Sequence, residues 1–225
     1  MKNHQLIVFD WDGTLIDSEA RIVNCMRAAI TDLELPARTT EALRNVIGLG
    51  LQEALNTLYP GHDDGLYQQL VERYRHHFLV QDDTPSELFE GVTTLLDTLN
   101  ERGHYLAVAT GKGRVGLDKS MEETGLRDYF HFTRCADETR SKPHPQMLQE
   151  IMERLGVDPR ETLMVGDTEY DLQMANNAGA AALAVSYGVH DKARLLACEP
   201  VACVDDVPAL HGWLVNNITL KAEGI

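Results

Sequence analysis

The stretch from Leu6 to Ser18, LIVFDWDGTLIDS, decides the fold. Four apolar residues in a row, Leu6 to Phe9, suit a strand buried on both faces, as a parallel sheet beneath helices requires. That strand then runs into Asp10 and Asp12. Side chains two apart on extended backbone point the same way, so both carboxylates can face one spot while Trp11 turns aside into packing. Gly13 permits a tight turn just beyond them. Read alone, DWDGT fits a ligand site and a solvated, helix-capping acidic loop equally well. The rest of the chain has to choose.

The apolar run recurs in YLAVA (Tyr105–Ala109), TLMV (Thr162–Val165), AAALAV (Ala180–Val185) and VACV (Val201–Val204), and more weakly around Phe130–Cys135. Helical patterns separate these runs. Val92, Leu95, Leu96 and Leu99 make one face ahead of Gly103. Met147, Leu148, Ile151, Met152 and Leu155 make another between Pro145 and Gly156, with proline suited to a first turn and glycine to an end. Strands alternating with helices predict an α/β fold with a mostly parallel sheet.

From about Asp17 to Thr84 the alternation breaks. Ile22, Val23, Met26, Ile30 and Leu33 form one stripe, and TTEALRNVIG, LQEALNTLYPG and GLYQQLVERYRHHFL follow as further helices. The first strand therefore carries a helical insertion, and QDDTPSE reads as the return hinge. This divides the chain into a core of residues 1–16 and 85–225 and a helical unit of residues 17–84. Between two of its helices, Gly48, Leu49 and Gly50 form a loose loop, either a substrate-facing segment or a plain helix–helix turn.

The formal net charge of −15 argues against a nucleic-acid or acidic-membrane partner, since both select Lys and Arg clusters. Cys25, Cys135, Cys198 and Cys203 lack zinc-type spacing and read as reduced thiols. The nine histidines are scattered, which disfavours metal storage. No apolar run approaches the roughly 18–20 residues of a transmembrane helix, and MKNHQLIVFD does not read as a signal peptide. A soluble cytoplasmic protein, monomer or homodimer, is expected.

The strand ends give the first pair of acids its meaning. In a parallel α/β sheet, ligands sit at the carboxyl ends of the strands. Two converging carboxylates there repel, and a cation relieves them. Oxygen ligands favour a hard ion, and Mg²⁺ binds through one or two carboxylates while keeping room for a phosphate. YLAVAT ends at Thr110-Gly111, a hydroxyl and a glycine N–H suited to phosphate oxygens. In SKPHPQML, Lys142 is held by Pro143 and Pro145 at a strand–helix junction. A lone Lys is ordinarily a solvated one, but here it is placed to neutralise a phosphate site. TLMV ends at Gly166-Asp167, and Asp171 lies four residues on, able to face the same side. Acids at a helix start also complement its dipole. The dipole does not account for four strand ends that each carry a residue fit for one Mg²⁺–phosphate site.

DWDGTLIDS, VAT, SKPHP and VGDTEYDL resemble, in order, the four motifs of the haloacid dehalogenase superfamily of phosphatases. The helical insertion resembles the small cap of its phosphoglycolate phosphatase-like branch. The resemblance implies a Rossmann-like core beneath a mobile cap and Mg²⁺-dependent hydrolysis of a small phosphorylated metabolite, 2-phosphoglycolate first among them. It assigns Asp10 as nucleophile and Asp12 as acid and base. Mg²⁺ would be held by Asp10, Asp167 and the main-chain carbonyl of Asp12, with Asp171 nearby. Thr110 and the Gly111 N–H would hold phosphoryl oxygens, Lys142 would neutralise charge, and the segment around Gly48, Leu49 and Gly50 would select substrate. Relatives often carry Asn after the Thr of the second motif, where this chain has Gly111-Lys112.

Sugar phosphates, nucleotides and pyrophosphate remain alternative substrates. A β-phosphoglucomutase-like activity is disfavoured because no arginine adjoins Leu51-Gln52. A phospho-accepting regulatory module would carry its acceptor on a later strand and no insertion after the first.

Overall fold

The computed structural model describes residues 2–219. Six strands form one wholly parallel sheet: β1 (Leu6–Phe9), β2 (Tyr105–Thr110), β3 (Phe132–Cys135), β4 (Thr162–Gly166), β5 (Ala181–Val185) and β6 (Ala202–Val204). Their order is β3-β2-β1-β4-β5-β6, the doubly wound Rossmann arrangement, whose ligand crevice lies where the order reverses, between β1 and β4. Leu6 to Phe9 pair with Tyr105 to Val108 on one side and with Thr162 to Val165 on the other. The Asp10 N–H extends the ladder by one bond, to the Val165 carbonyl at 2.9 Å. Asp10 is thereby fixed at that reversal.

The unbroken apolar runs have a direct cause. Ile7, Phe9, Leu106, Val108, Leu163 and Val165 face one buried cluster, while Leu6, Val8, Ala107, Ala109 and Met164 face another. All four β1 side chains are fully buried, each contributing about 1.5–3 kcal/mol of burial free energy. Helices α5 (Val92–Glu101), α6 (Arg114–Thr124) and α10 (Val207–Asn217) cover the first face; α7 (Gln146–Leu155), α8 (Glu169–Ala178) and α9 (Lys192–Leu196) cover the second. Three strands, β3, β5 and β6, start later than their apolar runs suggest. Ala180 donates to the Ala175 carbonyl and closes α8, and Phe130 closes a short turn onto Arg127.

Between β1 and β2 lie α1 (Glu19–Asp32), α2 (Thr40–Asn45), α3 (Leu51–Leu58) and α4 (Asp64–His76). Thr39 and Asp63 accept the Ala42 and Leu66 N–H groups and so fix the starts of α2 and α4. These helices bury a cluster of their own, including Met26, Leu43, Ile47, Leu55 and Leu70, joined by Val189 from the loop after β5. The run GLYQQLVERYRHHFL is not one helix. It widens to a π-turn over His77–Gln81, where Arg21 donates to the Phe78 and Asp82 carbonyls. Ile16–Asp17 and Glu87–Leu88 pair antiparallel where the chain leaves for the insertion and returns. Among the described residues, no helix is long and apolar enough to cross a membrane.

Candidate active site

Asp10, one residue beyond β1, is 1 % exposed. Its Oδ1 accepts the Trp11 N–H at 2.7 Å and meets Lys142 Nζ at 2.8 Å. Its Oδ2 is buried with no hydrogen-bond partner. Lys142 also reaches Asp171 Oδ1 at 2.6 Å. Asp171 Oδ2 accepts the Thr168 hydroxyl at 2.6 Å and the Thr168 N–H at 3.1 Å, which locks it at the start of α8. Asp167, at the end of β4, accepts the Thr14 hydroxyl at 2.9 Å and the Val189 N–H at 2.8 Å.

Glycines make this packing possible. A Cβ at Gly13 or Gly188 would overlap the Asp167 carboxylate, and one at Gly166 would overlap Asp171. Gly13 also holds φ at +81°, a conformation that favours glycine.

Two carboxylates therefore hold one buried ammonium, with a third, Asp167, beside them. Burial drives the Asp10 carboxyl well above its ordinary range, and Asp171 and Asp167 add repulsion that Lys142 only partly offsets. Burial and Asp171 likewise raise Asp167. Burial works against the Lys142 ammonium, but Asp10 and Asp171 outweigh it and hold its pKa above the usual value. Oxygen atoms of Asp10, Asp167 and Asp171 lie within 4.8 Å of one another. The unpartnered Asp10 oxygen and the net negative charge fit a cation with oxygen ligands at this cluster.

The Asp12 carboxylate stands outside that cluster. Its Oδ1 accepts the Ser18 hydroxyl at 2.6 Å and meets Lys112 Nζ at 2.9 Å. Thr110, fully buried at the end of β2, accepts the Lys112 N–H at 3.1 Å through its hydroxyl oxygen and keeps its own proton to donate. Asp10, Asp12, Thr110 and Gly111 line one cavity with Gly48 and Leu49. The Gly50 N–H instead donates to Ser141 Oγ at 2.7 Å, tying the insertion to the residue before Lys142.

The model of the haloacid dehalogenase-like hydrolases matches residues 7–185, all four of these strand ends included. The chain belongs to that family. This hydrolase is 39 % identical over 212 residues to "Probable phosphatase IndB" of Dickeya dadantii, with 92 % of each chain covered. It is 28 % identical to a phosphoglycolate phosphatase of Agrobacterium fabrum, over 96 % of this chain and 94 % of the relative. In fold it matches the crystal structure of a hydrolase from Pseudomonas syringae, with TM-score 0.87, 20 % identity, and coverage of 96 % and 99 %.

Residues that sequence reasoning passed over also reach the site of this hydrolase. Thr14 and Val189 hold Asp167, and Ser18 holds Asp12. Lys112, noted only as a departure from the family pattern, sits on Asp12 with its Nζ 4.4 Å from the centre of the Phe78 ring. The spacing Asp12–Ser18 carried a usable signal, since a hydroxyl before a helix start adjoins the acid pair. Lys112 and Phe78 carried none, because only the folded insertion brings them together.

Proposed function

We propose that the chain hydrolyses small phosphate monoesters, with Mg²⁺, through an aspartyl-phosphate on Asp10. The observation that carries this reading is the meeting of Asp10, Asp12 and Thr110 in one cavity, backed by Lys142 and the Asp10–Asp167–Asp171 cluster. The names of the relatives place this hydrolase among phosphatases. We take residues 1–16 and 85–225 as the catalytic core and residues 17–84 as a cap closing over it.

Asp10 attacks phosphorus, one carboxylate oxygen forming a P–O bond as the ester P–O bond breaks. Asp12 gives its proton to the departing alkoxide. It then takes a proton from the water that attacks the aspartyl-phosphate, so phosphate leaves and Asp10 is regenerated. Ser18 and Lys112 orient Asp12 for both steps. Lys142 neutralises charge on Asp10 and the phosphoryl group, and the Thr110 hydroxyl and Gly111 N–H hold phosphoryl oxygens. Mg²⁺ bound by Asp10, Asp167 and the main-chain carbonyl of Asp12, with Asp171 in support, would supply further charge neutralisation at the phosphoryl oxygens. Phosphoryl transfer needs this positioning and electrostatic stabilisation above all.

2-Phosphoglycolate, the substrate in the name of the Agrobacterium relative, is one monoester of the class, and at 28 % identity the name does not select it over others. Phosphate release from a monoester panel tests the reading. Activity with Mg²⁺, loss with chelator and loss in Asp10→Asn are expected. Full activity in Asp10→Asn would overturn it.

A further inference from the structure

A cavity of about 190 Å³ opens from Asp10, Asp12 and Thr110 into the helical insertion. Beyond the acids its walls are largely apolar, with Ile22 and Met26 from α1, Ile47 and Leu49 from the α2–α3 loop, Tyr74 from α4 and Phe78 from the π-turn. The Tyr74 and Phe78 rings stack at 5.7 Å with 25° between planes. Two cations line this space, Lys112 and Arg75, and both already face carboxylates. Lys112 Nζ is 2.9 Å from Asp12, and Arg75 Nη2 is 3.7 Å from Asp137 with its side chain 55 % exposed. Among the described residues lining the cavity, none offers an anion a cation that a carboxylate does not already hold.

From this lining we propose that the alcohol released by the enzyme is uncharged and largely apolar, of about the size of a single ring. The inference rests on the reading that Asp10 and Asp12 hydrolyse a phosphate monoester. A glycolate leaving group would carry its carboxylate into a chamber whose lining cations, Lys112 and Arg75, already face Asp12 and Asp137. It would lose its water there with no cation that a carboxylate does not already face, which is costly. An apolar ring loses only unfavourable hydration and gains the aromatic and aliphatic walls. Leu49 and the Phe78 ring are then specificity-determining groups, and Lys112 serves Asp12 rather than the substrate.

The test is kcat/KM with Mg²⁺ for benzyl phosphate, methyl phosphate and 2-phosphoglycolate, all esters of primary or methyl alcohols. Benzyl phosphate is expected to exceed each of the others by about tenfold or more. Tenfold is about 1.4 kcal/mol, which burying roughly 55 Å² of apolar surface supplies at about 25 cal/mol per Å². Leu49 is only partly buried, so Leu49→Lys keeps the fold while placing a cation in the wall. It is expected to raise turnover of 2-phosphoglycolate and lower that of benzyl phosphate. Preference of the unaltered enzyme for 2-phosphoglycolate, abolished by Asp10→Asn, would overturn the inference and leave the phosphatase reading standing. No turnover of any monoester, or turnover indifferent to Asp10→Asn, would overturn that reading and the inference with it.

Discussion

Gly111 and Leu49 meet back to back: a Cβ on Gly111 would stand 2.5 Å from the Leu49 carbonyl oxygen and 2.6 Å from that of Gly48. The loop of the insertion rests on the end of β2 because residue 111 has no side chain. Gly111→Asn must push the loop away or distort the strand end. We predict a fall of about tenfold in kcat/KM for phosphate monoesters, roughly 1.4 kcal/mol, with a melting temperature near that of the unaltered protein. Unchanged kinetics would show that the loop contact has no part in turnover.

Lys142 lies between Asp10 and Asp171 with its side chain fully buried. Removing the cation leaves buried carboxylates uncompensated, a loss of about 3–5 kcal/mol in comparable pairs. Urea unfolding of Lys142→Met is expected to show a loss of that order, and phosphate release should disappear. Adding Asp171→Asn should recover part of the stability and none of the activity. A further loss in the double variant would contradict the charge argument.

The buried acids also predict how the protein responds to metal. An ion that binds the folded state alone stabilises it by mass action, by about 2.7 kcal/mol at a hundredfold excess over Kd. Thermal melts in rising Mg²⁺ should shift upward and saturate, with chelator reversing the shift. Asp167→Asn, which removes one charge from the cluster, should abolish most of it. An identical shift in the variant would place the ion elsewhere.

His104 gives a prediction about pH. It is 3 % exposed and makes a 2.9 Å hydrogen bond through Nδ1 to the His4 carbonyl. Burial lowers its pKa from the ordinary 6.5. The folded state thus prefers the neutral ring, so the unfolded chain takes up a proton first as pH falls. The stability is complete above about 6.5 and is lost progressively below it, toward the folded pKa. Denaturant titrations at pH 7.5 and 5.5 should show a larger loss for the unaltered protein than for His104→Gln. Equal losses would assign the pH dependence to other groups.

Much of this was legible before folding, for identifiable reasons. A strand buried on both faces has to be apolar throughout, so Leu6–Phe9, Tyr105–Thr110 and Thr162–Gly166 announced themselves. Asp10, Asp12, Thr110, Lys142, Asp167 and Asp171 sit at or near strand ends, and a parallel sheet gathers those ends along one edge. The two-residue pairing of Ile16–Asp17 with Glu87–Leu88 is too short to show a period. It makes Asp17 part of a strand at the exit to the insertion, while neighbouring Ser18 turns its hydroxyl to Asp12. The Lys112–Phe78 contact and the apolar chamber depend on how α1, α4 and the π-turn settle over the sheet. No local spacing encodes that placement.

The central claim is that Asp10 becomes phosphorylated during turnover. Acid quenching of the enzyme with Mg²⁺ and a hydrolysed monoester, followed by mass spectrometry of its peptides, tests it directly. One added phosphoryl group is expected on the peptide containing Asp10, absent in Asp10→Asn and absent when substrate is exhausted. Sustained hydrolysis with the phosphoryl group found on another residue would contradict it.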